Sequence, residues 1–139
     1  MRANTPISTI MTKKIIGLTR EDDLKRAEML FNRYRVKHIP VVEGECIIGM
    51  ISYTDLMRIS IPKIIAGDNH SLDSEVPNNF TIDQVMAKDI TTVTPDTSIK
   101  EVTSILASKG FHSLPIEQDG VLLGIVTTRD LLNYFLKEA

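Results

Sequence analysis

The chain contains two copies of one sequence pattern, separated by a constant offset of 75 residues. "MTKKIIGLTREDDLKRAEMLF" begins at Met11, and "MAKDITTVTPDTSIKEVTSIL" begins at Met86. The same offset, without a gap, relates Pro40 to Pro115, Gly49 to Gly124 and Asp55 to Asp130. Because each copy alone is small for a stable core, the repetition predicts a tandem module with pseudo-two-fold symmetry.

Both copies predict the same order of elements, β-α-β-β-α, after a short leading helix. The leading helices are predicted at 5–11 and 81–86, the first extended stretches at 15–18 and 90–94, and the amphipathic helices at 24–34 and from Ile99 to a stop at Gly110. The later strands are predicted at 39–42, 47–51, 114–116 and 122–126, and the last helices begin at Asp55 and Asp130. The fold class is therefore α/β (α+β), with repeats at 1–59 and 81–139 joined by a linker at 60–80.

Composition, charge and motif spacing limit the classes of function that the sequence supports. A net charge of −2 without a basic stripe argues against a nucleic-acid partner. Apolar runs are too short to span a membrane and no signal peptide is recognisable, so we expect a cytoplasmic protein without a membrane partner. The histidines, His38, His70 and His112, lack metal-ligand spacing, and no catalytic motif is present. Cys46, the only cysteine, is interpreted as a buried, unreactive thiol.

A Ser/Thr-x-x-Asp motif recurs where each predicted second strand meets the last helix. Ser52 and Asp55 form it in the first copy, and Thr127 and Asp130 form it in the second. One interpretation is a helix cap, because such residues satisfy free N–H groups at a helix start. The other is a ligand site, because a carboxylate can accept hydrogen bonds from a vicinal diol such as ribose. The motif alone leaves both interpretations open.

A second recurring feature precedes the first strand of each predicted hairpin. Lys37-His38-Ile39-Pro40 corresponds to His112-Ser113-Leu114-Pro115. The pattern fits an exposed surface turn, and it also fits a place where Lys37, His38 or His112 contacts an anionic group.

Taken together, "HIPVVEGECIIGMISYTDLM" and "HSLPIEQDGVLLGIVTTRDLL" resemble a tandem pair of cystathionine-β-synthase (CBS) domains, a Bateman module. The resemblance implies two clefts that bind adenosine-containing ligands such as AMP, ADP, ATP or S-adenosylmethionine. It assigns the ribose to Ser52, Asp55, Thr127 and Asp130. It assigns the base and cleft lining to Lys14, Ile16, Val36, Asp89, Thr91 and Phe111. Phosphate is assigned to Lys37, His38, His112 and Arg129.

The resemblance further implies a homodimer and a regulatory role rather than catalysis. We therefore expect a signalling module that senses an adenine nucleotide or adenosyl compound and acts on an unidentified protein partner, without a metal or resident cofactor. The alternatives are a protein-interaction or dimerisation module without a nucleotide ligand, and an unrecognised enzyme or metal protein.

Overall fold

A computed structural model of the chain describes residues 4–65 and 80–139. A 3₁₀ helix, Ile7–Thr9, comes first. The α-helices are α1 (Leu24–Tyr34), α2 (Tyr53–Ile65), α3 (Ile82–Val85), α4 (Ile99–Lys109) and α5 (Thr128–Glu138). The strands are β1 (His38–Glu43), β2 (Cys46–Ser52), β3 (Ser113–Gln118) and β4 (Val121–Thr127). The predicted mixed α/β fold with hairpin strands in each copy is thereby confirmed.

Three of the predictions differ from the structure. The first extended stretch of each copy forms no full strand and makes one isolated parallel bridge instead, Leu18 to Val41 and Val93 to Ile116. Of the predicted linker at 60–80, residues 60–65 continue helix α2, and residues 66–79, with His70, lie outside the described residues. The leading helix of the first copy is also shorter than predicted, a single 3₁₀ turn preceded by Pro6 in extended conformation.

The chain divides into two compact units that do not coincide with the two repeats. Unit 1 comprises residues 4–15, 45–47 and 91–139, and unit 2 comprises residues 16–44, 48–65 and 80–90. We call residues 5–12 lead-in 1 and residues 80–87 lead-in 2. Each lead-in therefore belongs to the unit that holds the body of the other repeat.

Each unit has its own apolar core, and the exchanged lead-ins contribute to both. Ile7 of lead-in 1 is fully buried with the second repeat's residues in unit 1, and Ile82 of lead-in 2 is fully buried with the first repeat's residues in unit 2. The remaining buried core of unit 1 is Val93, Ile99, Val102, Leu106, Leu114, Ile116, Val126 and Leu131. That of unit 2 is Leu18, Leu24, Ala27, Leu30, Phe31, Ile39, Val41, Ile51, Leu56 and Met86.

Backbone hydrogen bonds attach each lead-in to the second strand of the other repeat. In unit 1, the N–H of Thr12 donates to the carbonyl of Ile125 at 2.8 Å, and the return bond measures 2.9 Å. In unit 2, Ala87 and Met50 exchange the equivalent bonds at 2.8 and 2.9 Å. The two bridges are related by the constant sequence offset, so the exchange is symmetric.

Exposed ion pairs also attach lead-in 2 to the rest of unit 2. Asp83 accepts hydrogen bonds from the Lys88 ammonium at 3.3 Å and from the Arg20 guanidinium at 3.0 Å. These two cations hold the pKa of the Asp83 carboxyl below its ordinary value. Arg20 also pairs with Glu43 at 3.0 Å, so one guanidinium connects lead-in 2 to the end of β1.

Cys46 is exposed, so the interpretation as a buried thiol is wrong. It is the first residue of β2, directly after the Gly44-Glu45 turn, whereas the buried part of β2 runs from Gly49 to Ile51. The strand sequence is apolar from Cys46 to Ile51, and only the position of the turn reveals that the Cys46 end faces solvent.

The helix that follows each first extended stretch ends in a left-handed residue. Gly110 caps α4 with φ 69°, and Arg35 occupies the equivalent place after α1 with φ 54°. Glycine adopts this conformation without the Cβ clash that other residues meet. We expect Arg35→Gly to raise the free energy of unfolding, measured in urea, by about 0.5–1 kcal/mol.

The matched control is Gly110→Ala, which should lower the free energy of unfolding by about 1 kcal/mol. A loss of stability in Arg35→Gly would show that the arginine side chain contributes more than its backbone conformation costs.

Candidate functional site

The Ser/Thr-x-x-Asp motif of the second copy begins helix α5. The Thr127 hydroxyl accepts a hydrogen bond from the Asp130 N–H at 3.1 Å, and the Asp130 carboxylate accepts one from the Thr127 N–H at 3.0 Å. This reciprocal pair is a capping box, so the predicted cap is confirmed. The carboxylate is half-buried and still has acceptor capacity beyond the capping bond. Capping and ligand binding are therefore compatible at this position.

The motif of the first copy lies at the start of α2 and has different neighbours. The Ser52 hydroxyl accepts from the Asp55 N–H at 3.0 Å. The Asp55 carboxylate, whose side chain is 31% exposed, pairs with the exposed Arg58 guanidinium at 3.1 Å. The offset places Asn133 at the position of Arg58 in the second copy, so that copy has no cation there.

Asp130 has a partner that the sequence did not indicate. The Thr12 hydroxyl of lead-in 1 lies 3.2 Å from Oδ2 and 3.4 Å from Oδ1 of the carboxylate. One hydroxyl hydrogen is thus shared between both oxygens, at distances near the long end of hydrogen bonding. In unit 2 the equivalent lead-in residue is Ala87, which has no hydroxyl.

The residues that precede Pro40 and Pro115 are hydrogen-bonded to the helix that carries the aspartate of the same copy. The Lys37 carbonyl accepts from the Tyr53 N–H at 2.8 Å, and the His112 carbonyl accepts from the Thr128 N–H at 2.9 Å. The Lys37 ammonium lies 4.9 Å from the centre of the Tyr53 ring, in a cation–π contact. The structure therefore brings Lys37 beside the start of α2, and His112 beside the start of α5.

The other sequence-predicted residues fall in both units. Unit 1 contains Lys14, Thr91, Phe111 and Arg129 together with Asp130, and unit 2 contains Ile16, Val36, His38 and Asp89 together with Asp55. Lys14, Asp89, Phe111 and Arg129 are exposed, whereas Ile16, Val36, His38 and Thr91 are half-buried. The exchange of lead-ins explains why Lys14, early in the first copy, shares a unit with the aspartate of the second.

Ser113 is a further polar residue that the sequence reasoning did not select. It lies directly opposite Thr127 across the β3–β4 pair, and its Oγ is buried without a hydrogen-bond partner among the described residues. Directly opposed side chains on antiparallel strands lie on one face and approach closely. The offset could have found it, because Ser113 corresponds to His38. No sequence pattern marks Thr12 as a site residue, because its contact is with the other repeat.

Within the described ranges, 4–65 and 80–139, no three potential metal-ligating side chains lie together. Within the same ranges, every helix is too short or too polar to cross a membrane.

Comparison with known proteins identifies related sequences and folds. The CBS domain model matches residues 7–61 and 82–137. Uncharacterized protein MJ1225 of Methanocaldococcus jannaschii is 28% identical over 130 residues, which cover 93% of this chain. This chain spans 42% of the length of that relative. The crystal structure of MJ1225 superposes with a TM-score of 0.82 at 22% identity over 97% of this chain and 49% of that one.

Two smaller structures were solved with ligands. CBSX2 in complex with AMP has a TM-score of 0.79 at 19% identity and covers 96% of this chain and 98% of its own. The CBS domain pair of protein MJ0100, in complex with 5′-methylthioadenosine and S-adenosyl-L-methionine, has a TM-score of 0.73 at 20% identity and covers 97% and 98%. At these identities the superpositions establish the fold alone. With two matched segments that together span most of its length, the chain belongs to the CBS domain family, as a tandem pair.

Proposed function

We propose that this chain is a non-catalytic regulatory module that binds an adenosine-containing ligand and holds its ribose through Asp130 and Asp55. The observation that carries the proposal is the half-buried carboxylate of Asp130, which the capping box with Thr127 fixes at a helix start. The buried hydroxyl of Ser113, opposite Thr127 on the neighbouring strand, has no hydrogen-bond partner among the described residues. A buried hydroxyl without a partner is costly, so a polar ligand group that bonds to it gains binding energy. The AMP and adenosyl complexes of related folds support the same ligand class.

The chemistry suits a ribose diol. A carboxylate accepts two O–H donors, while the neighbouring hydroxyls of Thr127 and Ser52 add donors or acceptors. In this proposal Lys14, Ile16, Val36, Asp89, Thr91 and Phe111 line the base. Lys37, His38, His112 and Arg129 are the candidates for phosphate contact. Because these cations are few, a monophosphate or a neutral adenosyl compound fits better than ATP.

The proposed mechanism is a population shift. A ligand that binds one conformation of the module more tightly than another changes its equilibrium by that difference in affinity. The change is read out by a homodimer partner or another protein. This proposed role does not depend on any activity of the longer relatives.

A thermal-shift panel tests the proposal with AMP, ADP, ATP, S-adenosylmethionine and 5′-methylthioadenosine. A ligand at 100 times its Kd stabilises the folded chain by about 2.7 kcal/mol. At this chain length we expect a rise of a few degrees in Tm for at least one compound, and a larger rise for AMP than for ATP. An unchanged Tm with all five compounds at millimolar concentration would contradict the proposal.

The second candidate is a protein-interaction or dimerisation module without a nucleotide. Leu132 and Leu136 favour it, because they lie four residues apart on α5 and are 58% and 74% exposed. Exposed apolar side chains on one helical face are typical of protein interfaces. A chain that sediments as a dimer in analytical ultracentrifugation and binds none of the five compounds would support this candidate instead.

A further inference from the structure

The contact between Thr12 and Asp130 has no equivalent in the other unit. We propose that Thr12 is a positioning residue that competes with a ligand's ribose diol for the Asp130 carboxylate. Binding in unit 1 then releases lead-in 1 from this contact, whereas binding at Asp55 leaves lead-in 2 unaffected. The inference rests on the proposed function and adds a regulatory difference between the two aspartates.

The Thr12 hydroxyl and a ribose diol compete because the Asp130 carboxylate has few acceptor positions. Each carboxylate oxygen can accept about two hydrogen bonds. Oδ2 of Asp130 already accepts from the Thr127 N–H at 3.0 Å and from the Thr12 hydroxyl at 3.2 Å. Among the described residues, Oδ1 accepts only the longer contact from Thr12, at 3.4 Å. A diol that donates to both oxygens therefore needs the position on Oδ2 that Thr12 occupies.

A ligand would displace the hydrogen bond from Thr12 and not the one from Thr127. The Thr127 N–H is part of a reciprocal capping box, so losing its bond would also leave the start of α5 unsatisfied. The Thr12 hydroxyl makes a single shared contact, and its side chain can rotate while the backbone bridge to Ile125 stays intact. The expected change is thus a local loosening of lead-in 1 at Thr12, with Ile7 still buried in the core of unit 1.

The first copy has no equivalent of the contact between Thr12 and Asp130, for two reasons. Ala87 replaces the threonine on lead-in 2, although its backbone bridge to Met50 matches the bridge between Thr12 and Ile125. Asp55 instead pairs with Arg58, whose exposed guanidinium can move into solvent at little cost. Ribose binding at Asp55 is therefore coupled to a surface arginine and not to a lead-in.

The test isolates the second-copy site by placing Thr12 variants in an Asp55→Ala background. Isothermal titration is performed with AMP, with 5′-methylthioadenosine and with 2′-deoxy-AMP. Thr12→Val removes the hydroxyl at nearly constant volume, and Thr12→Ser retains it as the matched control. Removing one competing hydrogen bond should tighten binding of AMP and 5′-methylthioadenosine by about two- to tenfold in Thr12→Val.

Thr12→Ser should bind as the background does. 2′-Deoxy-AMP offers one ribose hydroxyl, which Oδ1 can accept without displacing Thr12, so its affinity should change by less than about twofold. In the reciprocal experiment, Ala87→Thr in an Asp130→Ala background should weaken AMP binding by a similar factor.

Three results would overturn the inference. They are unchanged or weaker AMP binding by Thr12→Val, an equal gain for AMP and 2′-deoxy-AMP, or a gain that Thr12→Ser shares. In each case the background protein still binds AMP, so the proposed function survives. If the wild-type chain binds neither AMP nor 5′-methylthioadenosine, the proposed function and this inference fail together.

Discussion

Gly124→Val is expected to lower the free energy of unfolding by about 2–3 kcal/mol, and Gly49→Val by a comparable amount. A Cβ at Gly124 would lie 2.6 Å from the Sδ of Met11 and 3.1 Å from the carbonyl oxygen of Thr12. At Gly49 the equivalent distances are 2.5 Å to the Sδ of Met86 and 3.0 Å to the carbonyl oxygen of Ala87. The methionine can rotate away, but the backbone oxygen is fixed by the bridge that holds the lead-in.

Urea denaturation measures this loss, and Gly17→Ala is the control. A Cβ at Gly17 would have its nearest neighbour at 3.6 Å, an ordinary contact, so that variant should change stability by less than about 0.5 kcal/mol. Hydrogen exchange adds a specific readout, because the Thr12 amide should lose protection in Gly124→Val before the core amides of unit 1 do. Wild-type stability and wild-type protection at Thr12 would contradict the close packing of lead-in 1.

Asp55→Ala combined with Asp130→Ala is expected to abolish the rise in Tm that an adenosyl ligand causes. The double variant removes both carboxylates that accept the ribose hydroxyls, and a binding site left with unpaired ribose donors loses most of its affinity. Each single variant should lose the response of one site and retain the other. The stability cost without ligand should be about 1 kcal/mol for Asp130→Ala, because that substitution also removes half of a capping box.

Gln84→Ala separates the capping effect from ligand binding. Gln84 accepts from the Thr81 N–H at 2.9 Å in the capping box of α3, so its removal costs a similar cap in unit 2. This variant should lose stability as Asp130→Ala does and retain the full ligand response. If Asp130→Ala responds to ligand as strongly as Gln84→Ala does, Asp130 is a helix cap and nothing more.

The sequence predicts the elements well because their signals are local. The apolar spacing of α1 and α4, Gly110 and the motif at Thr127 all act within a few residues of chain, and the constant offset repeats these local signals in both copies. Apart from the first extended stretch of each copy, which forms only an isolated bridge, helix and strand bounds agree with the prediction to within a few residues. The capping box at Thr127 follows from the same local chemistry.

Contacts that cross between the repeats could not be predicted in this way. Thr12 reaches Asp130 over a separation of 118 residues, and no local pattern around Thr12 indicates that its hydroxyl has a distant partner. Cys46 was misjudged because an apolar strand gives no indication of which end reaches solvent. The offset relates Ser113 to His38, but the burial of Ser113 opposite Thr127 became visible only with the register of β3 and β4.

The exchange of lead-ins also bears on how one repeat would behave alone. In a fragment that carried a single repeat, Ile7 or Ile82 would lack the core that buries it here. A second copy of the same fragment offers an equivalent core, so two identical chains could exchange lead-ins symmetrically. Two identical chains would carry the same residue at both lead-in positions, whereas one polypeptide with both repeats can carry Thr12 at one and Ala87 at the other.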